Sequence, residues 1–281
     1  MTNGPGTLFV IATPIGNLED LSPRASMMLA RVDTVAAEDT RRAGQLLTRL
    51  GISQKLVSLH EHNEAERVQS IVDLLQNGRD AALISDAGTP LISDPGYRLL
   101  AALREQDLPV SPIPGCCAAI AALSVAGLPT DRFRFEGFLP ARRSPRRKRL
   151  LALRDCQDTL VFYESARRAP ATLADVADIF GADRPAALAR EMTKLYETLY
   201  RGRVVDVRER LTSDPGGGKG ECTLVVAGAE DAVPADTDLR SVLQVLLQEL
   251  PASQAASLAA RIAGVRRAEA YRVAQALREH D

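Results

Sequence analysis

Acidic and basic side chains recur in this chain just after short apolar runs, in groupings suited to proton transfer and charge stabilisation. Glu38, Asp39 and Arg41 follow the run at 32–37. His60, His62 and Glu64 follow 56–59, and Lys194 closes Arg190-Glu191-Met192-Thr193-Lys194 after 186–189. A carboxylate or imidazole can take the proton of a weakly acidic hydroxyl, and a neighbouring cation lowers that oxygen's pKa. Glu38, Asp39, Arg41, His62, Glu64 and Lys194 are therefore unranked candidates for catalysis. Asp39 and Thr40 suit a helix N-cap equally well, because an acid there meets the positive end of the helix dipole. His60 and His62 alternate at a strand end without a third ligand beside them, so no metal site is expected.

The segment Ser-Asp-Ala-Gly-Thr-Pro-Leu-Ile-Ser-Asp-Pro-Gly at 85–96 is the most informative stretch of the chain. It follows the apolar run 81–84, which reads as a buried parallel strand, and precedes a helical pattern at 97–103. That makes it a loop at the carboxyl end of a strand, where open α/β sheets bind ligands. Gly88 and Gly96 permit torsions or close approaches that a side chain forbids, while Pro90 and Pro95 stiffen the path. The common nucleotide fingerprints are missing. No GxGxxG follows the first strand. The run Gly216-Gly217-Gly218-Lys219-Gly220 has Ser213 where a phosphate loop needs its first glycine, so it reads as a flexible turn.

These groups require elements that bring them together. Apolar runs at 8–12, 32–37, 56–59, 81–84 and 110–113 alternate with helical patterns, which predicts a mostly parallel sheet with right-handed crossovers. Each polar cluster then falls on one sheet edge. The second half is again α/β but less regular, with strands expected at 159–163, 186–189 and 222–226, and further strand segments at 195–200 and 204–207. An Asp-, Pro- and Ala-rich linker at 230–238 leads into two or three helices over 239–250 and 253–277. The turn Ile262-Ala263-Gly264-Val265, followed by Arg266, Arg267 and Arg272, fits a helix-turn-helix and fits a packing appendage or dimer clasp equally. The expected organisation is two α/β domains, 1–125 and 126–230, with a helical extension at 231–281.

Composition narrows the class. A chain of 281 residues with 46% hydrophobic and 25% charged residues is that of a soluble globular protein of about two domains. There is no apolar stretch of bilayer length and no signal-peptide pattern. Cys116, Cys117, Cys156 and Cys222 form no CxxC pair, so reduced thiols in a cytoplasmic protein are expected. The net charge of −1 excludes wholesale coating of nucleic acid. Its distribution is more telling. Arg142, Arg143, Arg146, Arg147, Lys148 and Arg149 stand together without an acid, directly after the aromatic-rich segment 133–140. Such a group suits salt-dependent phosphate contact, the alternative being a solvated start to the helix that Leu150, Leu151 and Leu153 continue.

Taken together, Thr13-Pro14-Ile15-Gly16-Asn17-Leu18, Ala37-Glu38-Asp39-Thr40-Arg41, His60-Glu61-His62-Asn63-Glu64, the 85–96 loop, Phe162-Tyr163-Glu164-Ser165 and Arg190-Glu191-Met192-Thr193-Lys194 resemble the small-subunit ribosomal RNA 2′-O-methyltransferases of the tetrapyrrole methylase superfamily. The resemblance covers nearly the whole chain. It implies S-adenosylmethionine in a cleft between two α/β domains, usually in a homodimer. It also implies methylation of a cytidine ribose in the decoding centre of 16S rRNA, on the assembled small ribosomal subunit. Gly88-Thr89-Pro90 stands where the superfamily has Gly-Asp-Pro. By position, Pro14, Asp86, Gly88, Thr89, Ile92, Cys117, Ala118, Glu164, Ala189 and Cys222 would line the cofactor. Cys116-Cys117 and Ala166-Arg167 depart from the Pro-Ser and Pro-His of the family pattern. Two other classes compete: a tetrapyrrole-type small-molecule methylase, which the basic run and C-terminal helices disfavour, and a non-catalytic RNA-binding assembly factor, which the intact loop disfavours.

Overall fold

The computed structural model describes residues 4–60, 64–229 and 239–278. Contacts divide the chain into two units, Met1–Arg154 with Asp158–Ala227, and Asp155–Gln157 with Gly228–Asp281. Both sheets belong to the first unit.

The first sheet is built from β1 (Leu8–Ile11), β2 (Thr34–Ala37), β3 (Leu56–Ser58), β4 (Ala81–Ile84) and β5 (Val110–Ile113). They are parallel throughout, in the order β3-β2-β4-β1-β5. The crossovers carry α1 (Pro23–Arg31), α2 (Thr40–Arg49), α3 (Glu64–Gln76) and α4 (Tyr97–Glu105). Strand alternation explains the two-sided burial. Val35 and Ala37 face α1 and α2, with Leu29 and Leu47, whereas Ala36 and Leu83 face α3 and α4, with Leu75 and Leu99. A sheet buried on both faces needs the continuous apolar strands of this sequence. Its carboxyl edge is left as the place where polar loops gather.

After α5 (Ala118–Ala126), the second sheet contains β6 (Phe133–Phe138), β7 (Thr159–Ser165), β8 (Pro185–Arg190), β9 (Thr198–Arg203) and β10 (Glu221–Val226), in the order β6-β7-β10-β8-β9. Only β6 and β7 run parallel; β10 is antiparallel to both β7 and β8, and β8 to β9. Helices α6 (Arg143–Leu151), α7 (Ala169–Phe180) and α8 (Val204–Ser213) complete this half. Helix α5 joins the halves: Ala119, Ala122 and Leu123 pack on Val161, Ala187 and Val225 of the second sheet.

Three expectations need correction. Residues 204–207 begin a helix, not a strand. Val204, Val207 and Leu211 are buried at helical spacing, and this periodicity overrides the strand preference of the β-branched valines. The strand expected at 195–200 begins only at Thr198, as β9, because 195–196 form a turn. Residues 133–138, noted above only for their aromatic side chains, form edge strand β6. The register shifts between Phe135 and Gly137, whose φ of 64° suits glycine. The four cysteines are free, as expected. Among the described residues no helix is long and apolar enough to cross a membrane.

The second unit contains α9 (Leu239–Glu249), α10 (Ala252–Ile262) and α11 (Arg267–Arg278). Leu243 packs among Ala255, Ala256, Ala259, Ala270 and Ala274. Alanine here lets helix backbones approach closely, while Arg266, Arg267 and Arg272 stay exposed. The expected linker at 230–238 lies outside the described residues.

Candidate active site

A cavity of about 470 Å³ opens where the carboxyl edge of the first sheet faces the second. Gly88 forms its turn. The Thr13 N–H donates to the Gly88 carbonyl at 2.8 Å, and the Gly88 N–H donates back to Thr13 at 3.1 Å. Gly88 has a φ of 82°, which a side chain would strain. Two further loop residues, Leu91 and Ser93, hold φ values of 72° and 73° without being glycine, a strain that persists only where surroundings enforce it. The Thr89 hydroxyl donates to the Cys116 carbonyl at 2.8 Å and so ties this loop to the start of α5.

Six acidic residues border the cavity: Glu38 after β2, Asp86 and Asp94 in the loop after β4, and Glu164, Glu191 and Glu221 from the second half. Asp86 is committed to structure. It accepts from the Asp39 N–H at 3.2 Å and pairs with Arg42 at 3.0 Å. Glu38 is half-buried, and its carboxyl is raised above the usual range by burial and by the neighbouring Asp86 and Asp94 charges. Asp94 is raised as well, chiefly by burial. Asp39 behaves oppositely. It caps α2, accepting from the Arg41 N–H at 2.8 Å. The Arg41 side chain grips it, holding its carboxyl at about 2. The N-cap role foreseen for Asp39 is thus its structural one. Neither Asp39 nor Arg41 borders the cavity.

Lys194 does border it, with its ammonium held by Glu191 at 2.8 Å and Glu221 at 2.9 Å. Burial would lower this ammonium's pKa, but hydrogen bonds to Glu191 and Glu221 outweigh that and raise it. His62 lies outside the described residues, and Glu64 opens α3 without a described side chain.

Of the expected cofactor-lining residues, Asp86, Gly88, Thr89, Ile92, Ala118, Glu164 and Cys222 border the cavity. The Glu164 carboxylate is committed to protein partners: it accepts from the Thr172 hydroxyl at 2.8 Å and the Ser165 N–H at 2.9 Å, and pairs with Arg168. Cys222 is buried, which pushes its thiol up to about 12. Pro14, Cys117 and Ala189 do not border the cavity. Cys117 is the N-cap residue of α5, and Ala189 packs beneath that helix. Residues not singled out as site residues also enter the lining, notably Ile15, Arg42, Asp94, Phe138, Tyr163 and Met192. Most stood inside the quoted motifs, so chain neighbourhood was the available signal.

The loop after β1 closes one end of the cavity against the loop after β8. Gly16 is the contact point. A Cβ there would press on the Lys194 side chain and stand 2.8 Å from Thr193 Oγ1 and 3.1 Å from the Met192 carbonyl. Gly16→Ala is therefore expected to cost about 1–3 kcal/mol, as overpacking does. Chemical denaturation against the parent protein checks this.

The basic run is not the uniform patch its sequence suggests. Acids distant in the chain offset it. Arg146, 5% exposed, places Nε 2.9 Å and a terminal nitrogen 2.7 Å from the Asp175 carboxylate. Arg143 and Arg147 reach the same carboxylate at 3.1 and 3.0 Å, and Arg149 pairs with Glu136. Burial alone would raise the Asp175 carboxyl, but the hydrogen bonds from Arg146, Arg147 and Arg143 hold it below its usual range. Arg146 is thus a core ion-pair residue, a correction to its place among the phosphate-facing cations. Arg142 and Lys148 are exposed and carry no ion pair among the described residues.

Comparison with known proteins agrees along nearly the full chain. Residues 7–207 match the family described as Tetrapyrrole (Corrin/Porphyrin) Methylases, and residues 233–278 match that described as RsmI C-terminal HTH domain. Ribosomal RNA small subunit methyltransferase I of Pseudomonas aeruginosa is 50% identical over 274 residues, covering 96% of each chain. That of Escherichia coli O157:H7 is 46% identical over 275 residues, covering 97% of this chain and 96% of its own. A uroporphyrin-III C-methyltransferase from Thermus thermophilus, solved in complex with S-adenyl homocysteine, shares the fold with a TM-score of 0.54 at 15% identity, covering 79% of this chain and 97% of its own. The matches thus span both the two-sheet body and the helical extension, and the chain belongs to the tetrapyrrole methylase family and, within it, to the ribosomal RNA small subunit methyltransferase I group.

Proposed function

We propose that this protein transfers a methyl group from S-adenosylmethionine to the ribose 2′-hydroxyl of a cytidine in the decoding region of 16S rRNA, acting on the small ribosomal subunit as a cytoplasmic homodimer. Family membership makes it an S-adenosylmethionine-dependent methyltransferase of small-subunit rRNA. The cytidine, the 2′ position and the roles of single residues are our reading.

The observation that carries this reading is the acid-bordered cavity beside the Gly88 turn. Its volume is in the range of small-molecule sites. Its chemistry fits the donor. Carboxylates of Asp86, Glu38 and Asp94 suit a cationic ligand, Ile15, Ile92 and Met192 suit a purine, and the N-terminus of α5 at Ala118 suits a carboxylate. When bound, S-adenosylmethionine supplies a methyl group on a sulfonium centre, open to displacement by an oxygen nucleophile. The chain's own work is then alignment, exclusion of water and removal of one proton.

Glu38 is the group we assign to that proton. It borders the cavity, has no ion-pair partner as close as Arg41 is to Asp39, and its raised pKa makes it a better acceptor than Asp39. Arg42 and Lys194, each anchored by carboxylates, supply positive charge near the attacking oxygen. Exposed Arg142 and Lys148, with Arg266, Arg267 and Arg272 of the helical unit, are the cations we assign to RNA phosphates.

The deciding experiment incubates the protein with S-adenosylmethionine and small subunits from cells lacking this modification, followed by nuclease digestion and mass spectrometry. One new 2′-O-methylcytidine in the decoding region is expected. Donor binding without any transfer to the subunit would move the acceptor to another molecule and overturn the proposal.

A further inference from the structure

The chain between β8 and β9 is shaped unlike an ordinary connection. Glu191 and Thr193 both adopt left-handed backbone conformations, with φ values of 50° and 64°, although neither is glycine. Several bonds enforce them. The Thr193 N–H donates to the Glu197 carboxylate at 2.5 Å, and the Asn17 N–H donates to the Thr193 hydroxyl at 3.1 Å. Backbone N–H groups of Lys194 and Glu197 close successive turns onto Glu191 and Lys194, and the Lys194 ammonium bridges Glu191 and Glu221. The result is a short, braced projection.

At its tip stand two apolar side chains in succession. Leu195 is 88% exposed, more than any other large apolar residue described, and Tyr196 is 69% exposed. Both follow closely in the chain on Met192 and Lys194, which border the cavity. An ordinary surface turn would place polar residues here. Bracing a Leu-Tyr pair into water makes physical sense if the pair is covered during the protein's work, because a preordered projection loses little entropy on binding.

We propose that Leu195 and Tyr196 form a wedge that enters the RNA base stack beside the target nucleotide and holds it open, so that the ribose hydroxyl can reach the cavity. This rests on the RNA-methylating function proposed above. A ribose held in stacked RNA cannot approach an atom recessed in a cavity, so its nucleotide must be splayed out. Apolar side chains pushed between base steps do this in other nucleic-acid-binding proteins, and an aromatic ring then stacks on the exposed base. One cation outside the acidic border is free to meet RNA phosphate: Arg167, exposed and without an ion pair among the described residues, lies two positions after cavity residue Ser165.

The test compares the full-length protein with Leu195→Ser/Tyr196→Ser and with Tyr196→Phe. Four properties are read: circular dichroism, donor affinity by calorimetry, sedimentation, and methyl transfer to unmodified small subunits resolved into kcat and KM. An RNA hairpin of the acceptor region, with 2-aminopurine next to the target cytidine, reports unstacking as a rise in fluorescence. The double variant is expected to fold, bind the donor normally, lose about 10- to 100-fold in kcat/KM and give no fluorescence rise, while Tyr196→Phe, which retains a ring able to stack, recovers most of both relative to the double variant. A double variant that transfers methyl groups and unstacks the hairpin as the parent does would overturn the wedge alone. So would a double variant that dissociates a parental dimer, since the pair would then belong to an interface between copies. A parent protein that binds the donor yet modifies no subunit would overturn the methyltransferase proposal, and the wedge with it.

Discussion

Glu38→Gln is expected to slow methyl transfer by about 10²- to 10⁴-fold, the usual contribution of a positioned general base, with donor affinity little changed. The substitution keeps the shape of the side chain and removes its ability to take a proton. Because burial and the Asp86 and Asp94 charges raise the Glu38 carboxyl, the parent enzyme should gain activity as pH climbs through that raised value. The variant should lose this limb of the profile. Stability should move the other way. A carboxyl whose pKa is higher in the folded state than in the unfolded chain favours folding when protonated and costs stability once ionised. At neutral pH, therefore, Glu38→Gln should unfold no earlier than the parent. Activity that survives the change, or a pH limb that persists in the variant, would move the proton to another group.

Asp175→Ala should produce the largest loss of stability, about 3–5 kcal/mol, because it leaves the Arg146 guanidinium buried without its counter-charge. The Asp175 side chain is only 1% exposed and is shared by Arg143, Arg146 and Arg147. Urea denaturation would measure the effect. Alanine at exposed Arg142 or Lys148 supplies the comparison and should stay within about 0.5 kcal/mol of the parent. The sign with pH is also fixed. The hydrogen bonds from the three arginines hold the Asp175 carboxyl below its usual value. Its stabilisation is therefore present above the ordinary carboxylate range and fades as pH falls through the depressed value. If Asp175→Ala were as stable as the parent, the arginines would have found solvent, and the run would be a surface feature after all.

The contrast between the two halves shows what a sequence exposes. The first sheet was readable because its central strands β2 and β4 are apolar on both faces and end in polar residues, so that runs such as 81–84 mark the strand and its loop together. The second sheet has edges and mixed directions. Its strand β6, Phe-Arg-Phe-Glu-Gly-Phe, does alternate, but a bulge at Gly137 breaks the period and its arginine and glutamate conceal it. Val204-Val205-Asp206-Val207 carries strand-favouring residues on a helical spacing visible only when Leu211 is included. At the site, chain position revealed which loops meet but not which partners each side chain takes. Glu164 sits in a motif beside the cavity and spends its carboxylate on Thr172, Ser165 and Arg168. The basic run misled for the same reason: Asp175, which neutralises it, is about thirty positions away in the sequence.

The cavity's border runs from Ile15 to Thr223, and the Asn17–Thr193 hydrogen bond joins positions 176 apart. No early portion of the chain therefore contains the pocket. During synthesis the N-terminal sheet can close around its own core, yet its acidic rim at Glu38, Asp86 and Asp94 stays open to solvent until β10 has emerged and paired between β7 and β8. Long-range closure of this kind is slow compared with helix formation. It also makes donor binding a report that synthesis has passed β10, so that fragments released before that strand hold no cofactor and leave the cell's pool of it untouched.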